Sequence, residues 1–264
     1  MNITMTSTQV VLAILSGGFV GFALGLLGGG GSILAVPLLL YLVGIHNAHV
    51  VIGSTALAVA VNAYLNLIPH ARAKHVRWKP AIAFAIPGAI GAFVGSAAGK
   101  LAPDKELLFL FAILMIVVAV LMLRPKKQKF DDPQEEPAVK MARVIPTGFG
   151  VGFVAGFFGI GGGFLIVPGL LFATGMPLIA AIGSSLFSVG TFGLTTAINY
   201  AASGLIDWMV VLEYVGGGFV GGVIGVMLAT KLSKQKRTLN IIFSFIILAV
   251  AIYMLVINAE ALHL

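Results

Sequence analysis

The sequence predicts an all-α polytopic membrane protein made of two inverted-topology repeats. Three observations predict it: long apolar stretches free of charge, a self-similarity about 130 residues apart, and basic loops that change places between the repeats. The 264 residues are 59% hydrophobic and 9% charged, with mean hydropathy +1.08. A soluble domain carries about 25% charged residues. No Asp, Glu, Lys or Arg occurs in residues 1–71 or 144–206. Stretches there reach the roughly 20 residues that cross hydrocarbon.

Each half reads as five apolar pieces. The first runs near 9–27, and without a basic leader before it we expect it to stay as a helix rather than be cleaved. The second, 32–44, spans about 17–20 Å as a helix at 1.5 Å per residue, too short to cross comfortably. It is therefore expected to form a broken or re-entrant hairpin with the first, the glycines at the break. The third (48–69), fourth (79–99) and fifth (106–123) are membrane-length. The second half repeats the series near 144–159, 163–174, 178–201, 208–230 and 238–257. Residues 1–123 thus form the first membrane repeat and 144–264 the second. Between them, 124–143 ("RPKKQKFDDPQEEPAVKMAR") is charged and proline-bearing, a solvated linker.

The register of the repeat is carried by particular residues. Gly17, Gly21 and Gly25 match Gly148, Gly152 and Gly156; Pro37 matches Pro168; "GST" at 53–55 matches "GSS" at 183–185; Trp78 matches Trp208. Matched loops differ in charge. "HARAKHVRWK" (70–79) carries four basic residues and no acid, whereas its counterpart "YAASGLIDW" (200–208) has one Asp and no base. The next pair reverses, with 100–106 neutral and "KLSKQKR" (231–237) basic. Positive charge stays in the cytoplasm, so 70–79, the linker and 231–237 are expected there, with both termini outside. The net charge of +7 follows from this placement and does not point to nucleic acid. Without cysteine there is no thiolate metal site or cysteine nucleophile.

Two glycine runs are the first candidate site. "GLLGGGGSILAVP" (25–37) and "GFFGIGGGFLIVP" (156–168) put weak helix formers, each costing roughly 1 kcal/mol against alanine, where a helix should run. Irregular backbone within a bilayer is tolerated where it is buried in protein or lines a wet cavity. Ser32 is the expected N-cap of the half-helix that follows. Free N–H groups at such a terminus attract anions. Gly29, Gly30, Gly31 and Ser32, with Gly161, Gly162 and Gly163, are the resulting candidates. The GxxxG ladders, such as Gly17/Gly21/Gly25 and Gly217/Gly221/Gly225, are read as packing surfaces.

The third pieces add Ser54, Thr55, Asn62 and Asn66, and Ser184, Ser185 and Thr191, as substrate-binding candidates. Ser188, Thr195 and Asn199 share that segment. No Lys or Arg lies among these, so an anion would be held by amides, hydroxyls and helix dipoles. Glu213 is a candidate for proton coupling, since a carboxylate within the membrane is a functional suspect. His46 and His49 ("HNAH") lack a nearby acid in sequence, and we assign no metal or other cofactor. No HExxH, G-x-S-x-G or paired intramembrane carboxylates occur, so enzymatic chemistry has no obvious residues.

The paired glycine motifs, each followed by "IGST" or "IGSS", resemble the sulfite exporter TauE/SafE family, also called the 4-toluene sulfonate uptake permease family. The resemblance covers essentially the whole chain. It implies a multi-pass transporter of a prokaryotic plasma membrane moving sulfite or organosulfonates. With discontinuous helices in inverted repeats, the expected mechanism is alternating access around a midplane anion site. The rival readings are an anion channel and a structural membrane subunit without transport of its own. The expected partners are the anionic substrate, the bilayer and a second copy of the chain, because carriers of this size commonly dimerise.

Overall fold

The computed structural model describes residues 5–123, 141–161, 163–231 and 236–261. The described residues are helical, without strands, and each of the ten expected apolar pieces is a helix. In chain order these are α1 (Ser7–Leu27), α2, α3 (Ala48–Arg72), α4 (Trp78–Gly99), α5 (Asp104–Leu123), α6 (Met141–Phe158), α7 (Gly163–Thr174), α8 (Leu178–Ala201), α9 (Trp208–Lys231) and α10 (Lys236–Ala261). The label α2 covers one short rod of changing pitch. It winds as a 3-10 helix over Gly28–Leu34, an α turn over Ala35–Pro37 and a π turn over Leu38–Leu42. Most of the linker expected at 124–143 and of the basic loop at 231–237 lies outside the described residues.

Seven of these helices are long and apolar enough to cross a membrane, so the protein is a multi-pass membrane protein. Their outward faces carry large apolar side chains, among them Ile86 and Ile90 on α4 and Leu212 and Met227 on α9. Such a surface suits hydrocarbon and would be a liability in water.

The chain reverses after α1. Gly28 ends that helix at φ +71°, a conformation that glycine adopts without the Cβ penalty. The 3-10 turn then folds back, so that Gly31 lies on Ala23 and Leu24 of α1. At the far end, the Gln9 side-chain amide donates to the Val43 carbonyl at 3.1 Å. The start of α1 and the end of α2 are therefore side by side, and the pair is a closed helical hairpin. The same Gln9 forms a capping box with Thr6, tying the α1 N-terminus. In the second half, Gly169 of α7 packs on Val151 of α6, giving a second hairpin.

Glycine ladders set the closest approaches. A methyl at Gly17, Gly21 or Gly25 would strike the α9 backbone at Tyr214, Gly218 or Gly222. At the matched positions, Gly148, Gly152 and Gly156 lie on Phe84, Gly88 and Ala92 of α4. These ladders are thus packing surfaces, as expected from their spacing. At the centre α3 and α8 run antiparallel, with Gly53 against Tyr200, Gly193 against Ala56 and Ala60, and Gly190 against Tyr64. Helices α5 and α10 pack on each other, and α7 packs on the glycine turn of α2.

Candidate functional site

The two hairpin tips rest on the central pair α3 and α8. Gly28 rests on α8 beside Ile182 and Ser185, while Gly159 rests on Ile52 of α3. Gly161, at φ +63°, lies between Val59 and Val189, one from each central helix. Gly29 and Gly30 lie within the 3-10 turn, Gly163 is the first residue of α7, and Gly162 lies outside the described residues. The glycine runs therefore do break the helices: Gly161 reaches the middle of the α3–α8 pair, whereas Gly28 and Gly159 lie near the N-terminal ends of α8 and α3.

Ser32 differs from the expectation. It is buried inside the 3-10 turn, its carbonyl accepting the Ala35 N–H, and does not cap a helix starting at residue 33. Glycine-rich backbone can wind tightly, so the turn begins four residues earlier. Gly31 turns its bare face to α1, where no ligand would fit.

Most of the candidate hydroxyls in α3 and α8 have bonds within the protein. Ser54 Oγ accepts the Asp207 N–H at 2.9 Å, and Ser184 Oγ accepts the Arg77 N–H at 2.9 Å. These are matched residues making matched contacts. Each ties a central helix to the loop entering α9 or α4, beside a glycine whose bare face meets the same loop, Gly53 on Leu205 and Gly183 on His75. Asp207 also accepts the Met209 and Val210 N–H groups and so caps α9. Thr55, Ser185, Thr191 and Thr195 each donate to a carbonyl one turn back in their own helix. Thr191 also meets the Tyr64 hydroxyl at 3.2 Å. Asn199 bonds Ser96 at 2.7 Å and Lys100 at 2.8 Å, holding the ends of α8 and α4 together.

Asn62 stands apart. It is fully buried in the middle of α3, and neither its amide nitrogen nor its oxygen has a partner among the described residues. Such a group costs about 1–3 kcal/mol when buried unsatisfied, so an orphan in a native core calls for an explanation. Asn66, one turn on, donates to the Asn62 carbonyl at 2.9 Å. A groove of about 210 Å³ between α3 and α9, lined by Leu65, Ile68, Phe219 and Val223, reaches Asn66. Ser188 in α8 is likewise buried without a partner among the described residues.

Four residues with the same property escape sequence reasoning, Thr196 and Tyr200 of α8 among them. Ser16 of α1 and Tyr214 of α9 are buried, and neither hydroxyl has a partner among the described residues. Tyr214 aligns with Phe84, so its signal was a hydroxyl gained within the repeat, whereas Ser16 aligns with Thr147 and carries no such signal. Glu213, the proton-coupling candidate, is half-buried beside Tyr214 with one carboxylate oxygen unpartnered among the described residues. His46 is exposed, whereas His49 Nε2 pairs with Asp104 at 3.0 Å. Among the described residues no three His, Cys, Asp or Glu gather to hold a metal.

Comparison with known proteins bears on this geometry. The family model described as sulfite exporter TauE/SafE matches residues 13–254. A probable membrane transporter protein of Xylella fastidiosa is 52% identical over 252 residues, covering 95% of this chain and 97% of that protein. The probable membrane transporter protein YunE of Bacillus subtilis is 28% identical over 262 residues, covering 91% and 94%. No solved structure matches the chain.

Proposed function

Because the chain belongs to the sulfite exporter TauE/SafE family and is a membrane transporter, we propose that its cargo is a small sulfur-containing anion, sulfite or an organosulfonate. Transport proceeds by alternating access, the two halves rocking about a site near the bilayer midplane. One observation carries this reading: both hairpins break at glycine and rest their tips on the central pair α3 and α8, with Gly161 between Val59 and Val189 at its middle. Peptide N–H groups at these breaks would hold negative charge without a fixed cation, which suits release as well as binding.

The inverted repeat is supported by the packing. Helix α1 lies on α9 while its counterpart α6 lies on α4, and α3 runs antiparallel to its own counterpart α8. A twofold axis in the membrane plane produces this exchange of partners. By the positive-inside rule the basic loop at 70–79 would face the cytoplasm of a prokaryotic cell, with both termini outside.

The test is flux in proteoliposomes. Radiolabelled sulfite and methanesulfonate should enter with saturation and counterflow, faster than sulfate or chloride. Flux equal to that of protein-free vesicles would overturn the substrate assignment. Linear, non-saturating flux would identify a channel instead.

A further inference from the structure

The repeat is symmetric in backbone but not in side chains, and one pair of matched corners differs in what fills it. Where α4, α6 and α8 meet, Phe84 and Phe192 stack with ring centroids 6.3 Å apart, both fully buried. Phe192 lies on Gly88 there. In the matched corner, formed by α1, α3 and α9, Tyr214 replaces Phe84 and Asn62 replaces Phe192. Asn62 lies on Gly218, the counterpart of Gly88, and Gly218 is one helical turn from Tyr214. Gly17 packs on the Tyr214 backbone and brings its neighbour Ser16 to the same seam.

One corner is filled by stacked rings, with the Ser188 and Thr196 hydroxyls a turn either side of Phe192 lacking a partner among the described residues, and the other corner holds buried polar side chains that lack one. Ser16 is 2% exposed, Asn62 and Tyr214 0%, and none of their side-chain polar atoms has a partner among the described residues. Leaving so many groups unsatisfied in one corner is costly unless something satisfies them.

We infer that this corner between α1, α3 and α9, lined by Ser16, Asn62 and Tyr214, is the binding site for the oxygens of a singly charged oxyanion, and that the Phe84–Phe192 stack closes the matched corner, leaving one site per chain. The inference rests on the reading of the protein as an anion carrier and places the bound anion more narrowly. Ser16 and Tyr214 hydroxyls and the Asn62 amide are neutral donors suited to sulfonate or hydrogen sulfite oxygens. Asn62 Oδ1 is an acceptor and would take a hydrogen bond from the proton of hydrogen sulfite. With no Lys or Arg in the corner, a dianion would bring more charge than neutral dipoles compensate. Sulfate is thereby disfavoured against a monoanion of similar size.

The absence of native cysteine makes the test direct. Asn62→Cys in inside-out and right-side-out vesicles is treated with 2-sulfonatoethyl methanethiosulfonate, a small anionic thiol reagent that itself carries a sulfonate. Labelling should occur from at least one side, and methanesulfonate should slow it at least fivefold, with sulfate at equal concentration slowing it less than twofold. Phe192→Cys should remain unlabelled. Equal reactivity at the two positions, or none at residue 62, overturns the inference. Should Asn62→Cys fail to fold, Asn62→Leu and Tyr214→Phe keep much of the packing volume. Each should leave the melting temperature unchanged or raised while half-saturation for methanesulfonate rises at least tenfold. Wild-type half-saturation in both variants overturns the corner while leaving the carrier intact. A labelled and protected corner in a protein without sulfite or methanesulfonate flux overturns the carrier reading instead.

Discussion

The Ser54 hydroxyl accepts the backbone N–H of Asp207 at 2.9 Å, and the matched Ser184 accepts that of Arg77 at the same distance. Because α3 and α8 are antiparallel, the two contacts sit at opposite ends of the bundle. Each closes a loop into a notch whose floor is a glycine, Gly53 or Gly183. If the halves rock, one loop must leave its notch while the other stays. Cysteine pairs at 54 with 207 and at 184 with 77 should each form a disulfide, and either should stop sulfite flux. Reductant should restore it. Flux that continues with the bridge formed would show that the notch does not open during transport.

The same contacts have a static cost. Ser54→Ala leaves the buried Asp207 N–H without this acceptor, worth about 1–3 kcal/mol, and Ser184→Ala does the same to the half-buried Arg77 N–H at a smaller cost. Thermal unfolding in detergent should show a lowered midpoint for each, and Thr should rescue part of the loss by restoring a hydroxyl. Unchanged midpoints would mean that water replaces the serine.

The glycine ladders separate crowded from open positions. Gly21→Ala and Gly152→Ala force a methyl into the backbone of Gly218 or Gly88, and overpacking of this kind costs about 1–3 kcal/mol. Gly150 and Gly216 have open space where a Cβ would stand. Alanine there should leave stability unchanged or raise it by up to about 1 kcal/mol, the helix-propensity difference. Matched destabilisation at all four positions would mean that the helices do not approach as described.

The sequence pattern made the ten helices legible, because hydrocarbon demands length and apolarity in a continuous run. The shortness of 32–44 also pointed to a hairpin, and α2 does return to the start of α1. What could not be read was the destination of each polar side chain. Ser54 and Asn62 are similar candidates in sequence, two polar residues of one apolar helix. In the structure one meets a loop 153 residues away and the other meets no described partner. Tyr214 was hidden for a different reason: a tyrosine among apolar residues reads as core until its partner in the repeat is seen to be Phe84.

Lys100 makes a further tether testable. Its Nζ donates to the Asn199 carbonyl at 3.0 Å, to Asn199 Oδ1 at 2.8 Å and to Ser203 Oγ at 2.8 Å, joining the end of α4 to the end of α8. Lys100→Met keeps the stem and removes all three donors. The midpoint should fall by the equivalent of about 1–3 kcal/mol, the scale for hydrogen bonds to a charged group. An unchanged midpoint would assign these contacts no net worth.

Gln9 holds two jobs that one substitution can separate. Its side-chain oxygen accepts the Thr6 N–H in the capping box at 3.0 Å, and its side-chain nitrogen donates to the Val43 carbonyl at 3.1 Å. Gln9→Glu retains the acceptor for the cap but replaces the donor with an oxygen facing the Val43 carbonyl. Only the clasp between α1 and α2 is then lost. Opening of the hairpin should appear as faster amide exchange at residues 38–45, with the first turn of α1 still protected. Gln9→Ala should release both regions. If Glu and Ala behave alike, the cap and the clasp are not separable, and the hairpin is closed by its apolar packing rather than by this bond.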